Sequence, residues 1–84
     1  MINVRSLREL GAAIRNHRRL AGLNQQQLAD KAGVSRRWVS AVENAERDQM
    51  DVSAVLRTFE ALGLVLSIGP DEALAADNIL DEEW

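Results

Sequence analysis

The chain has 84 residues, which suits a single small domain whose modest core would gain stability from association with another copy. It contains no cysteine, which excludes a disulfide scaffold and cysteine-based zinc sites. No apolar run approaches the ~20 residues of a membrane span, and the N-terminus lacks the apolar stretch of a signal peptide. We therefore expect a cytoplasmic protein with no membrane partner.

Charge is divided unequally between the two halves of the chain. Residues 1–47 hold nine Arg and Lys residues against four acidic residues, a net charge of +5. Residues 48–84 hold one Arg against nine acidic residues, a net charge of −8. This asymmetry indicates two different partners, because the basic half can bind phosphates whereas the acidic half cannot lie on DNA.

The first predicted helix begins after Ser6, its N-cap, and ends at Gly22. Its inward face is predicted to hold Leu7, Leu10, Ile14 and Ala21, and its outward face Arg8, Arg15 and Arg19. A strand or extended arm is predicted before it, over residues 2–4.

The second and third predicted helices meet at a tight turn. Asn24 caps a helix over about residues 25–31, with Gln27 as its capping-box partner, and Gly33 ends that helix in a left-handed conformation. Ser35 caps a helix over about residues 36–44, which buries Val39 and Val42 and exposes Arg36, Arg37 and Ser40. This pattern predicts a helix-turn-helix that offers its second helix to the DNA major groove. The alternative is an ordinary helical hairpin with solvated arginines.

A fourth helix is predicted from its cap, Asp51, to Gly63, and its apolar spacing makes it the core helix of the bundle. The following residues are apolar and partly β-branched, and they predict a short strand: Leu64, Val65, Leu66, Ser67 and Ile68. A lone strand needs a partner. Pairing with the same strand of a second copy is preferred, and pairing with residues 2–4 of the same chain is the alternative.

Residues 70–84 are predicted to form an acidic C-terminal tail, separate from a DNA-binding and dimerisation domain over residues 1–69. Pro70 followed by acidic residues would suit the start of a short helix, and the alternative is a disordered tail. The tail places Ile79, Leu80 and Trp84 among acidic residues. Large apolar side chains of this kind are typical anchors at protein interfaces. The alternative is that Trp84 folds back on its own domain.

Over residues 6–63 the sequence resembles the Cro/lambda-repressor-like (xenobiotic-response-element) helix-turn-helix family. The resemblance is carried by Arg18, Gly22-Leu23-Asn24-Gln25, Leu28-Ala29, Gly33-Val34-Ser35, Val39-Ser40 and Val42-Glu43-Asn44. Within that family the chain is most similar to HipB-type antitoxins, because a strand follows the fourth helix and an extended tail ends on Glu83 and Trp84.

The resemblance implies an all-α fold of four to five helices, with one short C-terminal strand that pairs across a homodimer. It further implies a bacterial repressor that binds a palindromic double-stranded operator, represses its own toxin–antitoxin operon and inhibits a HipA-like serine/threonine kinase toxin. It also implies an ion pair between Arg18 and Glu43. No cofactor is expected. Ala45 departs from the family, since many relatives have glycine there, so the loop after the third helix is expected to differ.

The candidate DNA contacts lie around the predicted turn. Arg36 and Arg37, in the first turn of the recognition helix, can each bond guanine as a fork. Gln25 is placed to bind a phosphate at a helix N-terminus, and Asn24 and Asn44 are weaker phosphate candidates. Ser35 and Ser40 can reach a phosphate or a base. Two roles are open for Trp38: contact with a thymine methyl or sugar, or packing against the second helix.

Other functional classes fit the sequence less well. An enzyme is not expected, because there is no paired-carboxylate cleft, no nucleophile with a base and only one histidine, His17. A stand-alone phage or chromosomal repressor is the main alternative, and it would need no Trp-ended acidic tail. A pure protein-interaction module is a further alternative, which the basic half disfavours.

Overall fold

The structure, a computed structural model, describes residues 3–46 and 49–71. Within these ranges the chain forms four helices: α1 (Leu7–Leu20), α2 (Gln25–Ala32), α3 (Arg36–Glu43) and α4 (Val52–Ala61). The expected all-α class is confirmed. None of the helices in these ranges is long and apolar enough to cross a membrane.

Each of the four helices begins at the polar cap that the sequence predicts, namely Ser6, Asn24, Ser35 and Asp51. The capping box of α2 is complete, because the Asn24 side chain accepts from the backbone N–H of Gln27 at 2.7 Å and the Gln27 side chain accepts from the backbone N–H of Asn24 at 2.8 Å. Caps of this kind each stabilise a helix by ~1 kcal/mol. Local sequence therefore determines where the helices start.

The core is one apolar cluster to which all four helices contribute. Its buried members are Ile14, Leu28, Ala29, Trp38, Val39, Val42, Ala54, Val55 and Phe59. Helix α2 packs against both α3 and α4, and α1 packs against α3. One expectation for α1 was wrong: Ala21 is exposed, because the helix ends at Leu20 and Ala21 already belongs to the turn.

Gly11 is the point of closest approach between α1 and α3. A Cβ atom on Gly11 would lie 2.1 Å from the backbone carbonyl oxygen of Val42, so a larger residue cannot fit unless the backbone moves. Arg15 and Arg18 follow Gly11 by four and seven residues and therefore lie on the same face of α1. The contact brings both arginines next to the C-terminal end of α3.

Helix α3 ends at an alanine in the left-handed conformation. Ala45 has φ 54°, the one positive φ among the described non-glycine residues. The N–H of Ala45 donates to the Val42 carbonyl at 3.1 Å and that of Glu46 to the Ala41 carbonyl at 2.9 Å, the two bonds that close a helix of this type. The loop therefore keeps a glycine-type backbone although it contains alanine.

Residues 64–68 form no strand in the single chain. The N–H of Leu64 donates to the Phe59 carbonyl at 2.8 Å and closes α4, and the Leu64 side chain packs against the core. No backbone hydrogen bond joins Asn3 or Val4 to residues 64–68. The described part of the arm thus does not form the sheet within one chain, and Ile2 lies outside the described residues. Pairing between two copies stays a prediction.

Candidate nucleic-acid interface

A three-residue turn, Gly33 to Ser35, sets the angle between α2 and α3. Gly33 has φ 72° and ψ 34°, a left-handed conformation that strains an L-residue. The N–H groups of Gly33 and Val34 both donate to the Ala29 carbonyl, at 2.9 and 3.1 Å. Beneath the turn, Ala29 and Val39 are fully buried. The predicted geometry of the turn is confirmed.

Two arginines at the start of α3 are exposed to solvent. Arg36 and Arg37 are exposed, and neither guanidinium has a hydrogen bond or ion pair within the described residues. They line a shallow cleft of about 370 Å³ together with Ser40, Ala41 and Glu46. An arginine that is not neutralised internally keeps its charge and all of its donors for an anionic ligand.

Trp38 faces the opposite way from the two arginines before it. Its side chain is part of the core cluster, and the residue is only 8 % exposed. The indole Nε1 is also buried, with no hydrogen-bond partner among the described residues. Of the two roles predicted for Trp38, packing is the one that the structure shows, and the assignment of Trp38 to DNA contact is corrected. The reason is helical geometry, which puts residues 38, 39 and 42 on the face that meets α2.

The other candidate contacts use part of their hydrogen-bonding capacity inside the protein. The Ser35 hydroxyl and the Asn24 side-chain amide oxygen accept the capping bonds of α3 and α2. The Gln25 side-chain nitrogen donates to Glu43 Oε1 at 3.1 Å. A phosphate needs donors, and these remain: the Ser35 hydroxyl proton, the Asn24 amide protons and the second amide proton of Gln25. Whether these residues bind DNA stays a prediction.

Glu43 connects three helices through its carboxylate. Arg18 donates from Nε to Oε2 at 2.6 Å and from Nη2 to Oε1 at 2.9 Å, and its Nη1 donates to the Leu23 carbonyl at 2.9 Å. The Glu43 side chain is fully buried, and that of Arg18 is 10 % exposed. The buried pair therefore joins α1 to α3, as the family resemblance implies, while Gln25 adds a bond from α2.

The surroundings of Glu43 keep its carboxylate ionised. Burial by itself raises the pKa of this carboxyl, but hydrogen bonds from Arg18 and Gln25, together with the charges of Arg18 and Arg15, outweigh burial and hold the pKa below its usual value of 4.5. The bond to Glu43 likewise raises the pKa of Arg18. Both members of the pair therefore carry full charge at neutral pH.

Sequence reasoning did not assign a role to Arg15 beyond an outward position. The side chain is 39 % exposed, with Nε 3.5 Å from Glu43 Oε1. Its Nη2 donates to the Glu43 backbone carbonyl at 3.3 Å and to the Asn44 side-chain oxygen at 2.9 Å. The available signal was the spacing of Gly11, Arg15 and Arg18 along one face of α1, since a glycine inside a helix often marks close packing.

The predicted dimerisation residues fall into two groups. Leu64 packs against its own core, whereas Val65, Leu66 and Ile68 are exposed, Ile68 almost completely at 97 %. An apolar groove runs beside them and is lined by exposed residues of α4, including Val52 and Leu56. The predicted toxin contacts Ile79, Leu80 and Trp84 lie outside the described residues.

Two capped helices joined at a left-handed glycine, with two exposed arginines on the second helix, define a helix-turn-helix DNA-binding domain. A family model described as a helix-turn-helix domain matches residues 9–67, and the chain belongs to this family.

The fold is also similar to solved structures of HipB. Similarity to the HipB-O4 20mer complex has a TM-score of 0.74 at 23 % sequence identity, covering 83 % of this chain and 97 % of that chain. The same values hold for the structure of the HipA-HipB-O2-O3 complex. No curated protein matches the sequence. The fold is therefore HipB-like.

Proposed function

We propose that this chain is a sequence-specific transcriptional repressor that binds a palindromic DNA operator as a homodimer and acts as the antitoxin of a type II toxin–antitoxin system. The observation that carries the DNA-binding part is the pair of exposed arginines in the first turn of α3, which have no partner in the part of the chain that the structure describes. A recognition helix reads base edges with this turn, and a forked arginine contact to guanine discriminates by ~1–3 kcal/mol.

Selection of binding sites from a random duplex library tests this assignment. Arg37→Ala should relax base preference at one operator position, and Arg36→Ala combined with Arg37→Ala should abolish it at more than one. Arg8→Ala is the matched control, because it removes an exposed arginine from the start of α1. Unchanged base preference in the double variant would reject the recognition-helix assignment.

Gln25, Asn24, Asn44, Ser35 and Ser40 are proposed to position the protein on the duplex. Gln25 stands at the N-terminus of α2, where backbone N–H groups also favour an anion. Gln25→Ala should therefore weaken binding to all sequences alike, without changing base preference. Because Gln25 also bonds Glu43, the melting temperature of the variant is measured alongside its affinity.

The homodimer is proposed to form through residues 64–68. Val65, Leu66 and Ile68 expose apolar side chains that a single chain leaves in water, beside an apolar groove along α4. Pairing two such segments would bury these side chains and satisfy their backbone groups. Ile68→Asp should shift the chain to monomer in analytical ultracentrifugation and weaken operator binding. Leu20→Asp, at another exposed leucine, should leave the dimer intact.

The toxin partner is proposed to be a HipA-like serine/threonine kinase. The HipB-like fold supports this proposal, as does the acidic tail with Ile79, Leu80 and Trp84. The combined variant Ile79→Ser, Leu80→Ser and Trp84→Ala should lose kinase capture and keep operator binding. Ala75→Ser with Ala76→Ser is the control in the same tail. Operator binding without any capture of the kinase encoded beside the gene would indicate a stand-alone repressor instead. Both proposed partners belong to the cytoplasm.

A further inference from the structure

We infer that Arg15 is a positioning residue for DNA binding, which acts by fixing the orientation of the Asn44 side-chain amide. The inference rests on the proposed DNA-binding function. In the contact that carries it, Arg15 Nη2 donates to the Asn44 side-chain oxygen Oδ1 at 2.9 Å, between α1 and the residue that follows α3.

The position of Asn44 makes its orientation matter. Arg36, Ser40 and Asn44 are spaced by four residues, so they form one stripe along α3 and its C-cap. Arg36 and Ser40 line the cleft at the N-terminal part of that stripe, and Asn44 is exposed at its C-terminal end. A DNA backbone that lies along α3 would therefore meet Arg36 first and Asn44 last.

An asparagine amide presents different chemistry in its two orientations. With the side-chain carbonyl oxygen held by Arg15, the amide nitrogen is directed away from the guanidinium and donates to Ser40 Oγ at 3.5 Å. The second amide proton is then available to a phosphate oxygen, which only accepts. In the flipped orientation, the nitrogen would face the guanidinium, donor against donor, and the carbonyl oxygen would repel the phosphate.

The guanidinium of Arg15 is itself held in place. Its Nη2 also donates to the Glu43 backbone carbonyl at 3.3 Å, and its Nε lies 3.5 Å from the buried Glu43 carboxylate. The carboxylate is in turn fixed by Arg18 and Gln25. Arg15 is thus anchored at one side by Glu43 and orients Asn44 at the other, and a preorganised donor loses less entropy when it binds.

A double-mutant cycle on DNA binding tests the inference. The probe is a fluorescein-labelled duplex recovered from a random library by the wild-type protein. Arg15→Met keeps most of the side-chain stem, and Asn44→Ala removes the amide. We expect each single variant to weaken binding about threefold to tenfold, and the double variant to bind no more weakly than the weaker single variant. Arg19→Met, at an exposed arginine on α1, is the control for loss of one charge.

The salt dependence of binding separates positioning from direct contact. If Arg15 contacted a phosphate directly, losing that contact in Arg15→Met would make the negative slope of log K against log[salt] less steep by ~0.9. The same change would be seen in the Asn44→Ala background. Positioning predicts an unchanged slope and strong coupling with Asn44. Additive losses of binding free energy in the double variant, or a less steep salt slope in both backgrounds, would overturn the inference. If the wild-type chain selects no duplex at all, the proposed DNA-binding function fails first, and the inference fails with it.

Discussion

Arg18 and Glu43 join α1 to the last turn of α3 through two side-chain hydrogen bonds of 2.6 and 2.9 Å, inside the protein rather than on its surface. Each guanidinium nitrogen of Arg18 and each carboxylate oxygen of Glu43 has a hydrogen-bond partner, since Arg18 also donates to the Leu23 carbonyl and Glu43 also accepts from Gln25. A fully hydrogen-bonded buried pair is costly to break on one side, because the remaining charge stays buried without compensation.

Glu43→Ala should therefore lower the free energy of unfolding by about 3–5 kcal/mol, as typical for removal of one member of a buried ion pair. Urea unfolding followed by tryptophan fluorescence measures the change, since Trp38 lies in the core. Glu60→Ala, at an exposed carboxylate on α4, is the matched control and should change stability by less than about 0.5 kcal/mol. An unchanged melting temperature in Glu43→Ala would contradict the structural role of the pair.

The stabilisation by Glu43 should depend on pH with a definite sign. Because the folded protein holds the pKa of Glu43 below 4.5, the carboxylate contributes fully above about that pH and loses its contribution as the pH falls through the lower folded value. The difference in unfolding free energy between wild type and Glu43→Gln should be largest near pH 6–7 and should shrink below pH 4.5. A difference that stays constant from pH 7 to pH 3 would show that the ionised form is not the stabilising one.

Ala45→Gly should stabilise the protein. Alanine at φ 54° bears the ~1–2 kcal/mol cost of a left-handed conformation, whereas glycine does not, although glycine loses more entropy on folding. We expect a net gain of about 0.5–1 kcal/mol, equivalent to a rise in melting temperature of roughly 2–8 °C for a domain of this size. Gly33→Ala is the converse change at φ 72°, where the added Cβ atom would meet no non-neighbouring residue within 4 Å, so only the backbone conformation is strained and the loss should be of similar size.

Gly11→Ala should destabilise the protein by about 3 kcal/mol or more. Helix propensity alone predicts the opposite, a stabilisation of ~1 kcal/mol. The added Cβ would meet the Val42 carbonyl oxygen at 2.1 Å, and backbone atoms of α3 cannot rotate away as a side chain can. Ala12→Gly, at the exposed neighbouring position, reports the propensity term separately. Calorimetry of the three proteins decides the point. A melting temperature for Gly11→Ala at or above that of wild type would contradict the close approach of α1 and α3 at Gly11.

The local features of this fold could be predicted from the amino-acid sequence. Four polar caps, the left-handed Gly33 and the helical spacing of apolar residues were all readable, because each depends on residues within one or two turns of one another. The exposed positions of Arg36 and Arg37 followed from the same periodicity. The Arg18–Glu43 pair came from the family resemblance, since nothing in the spacing of two residues 25 positions apart indicates contact.

The contacts between helices could be learned only from the three-dimensional structure. The first turn of α3 contains both arginine and tryptophan, and the structure shows that Trp38 is the one that lies in the core, on the face of α3 that packs against α2. It identified Gly11 as the contact that lets α1 approach α3, and it brought Arg15 to Asn44 across 29 residues of sequence. These relationships depend on how close two backbones come, and that distance is set by the whole core rather than by any local pattern.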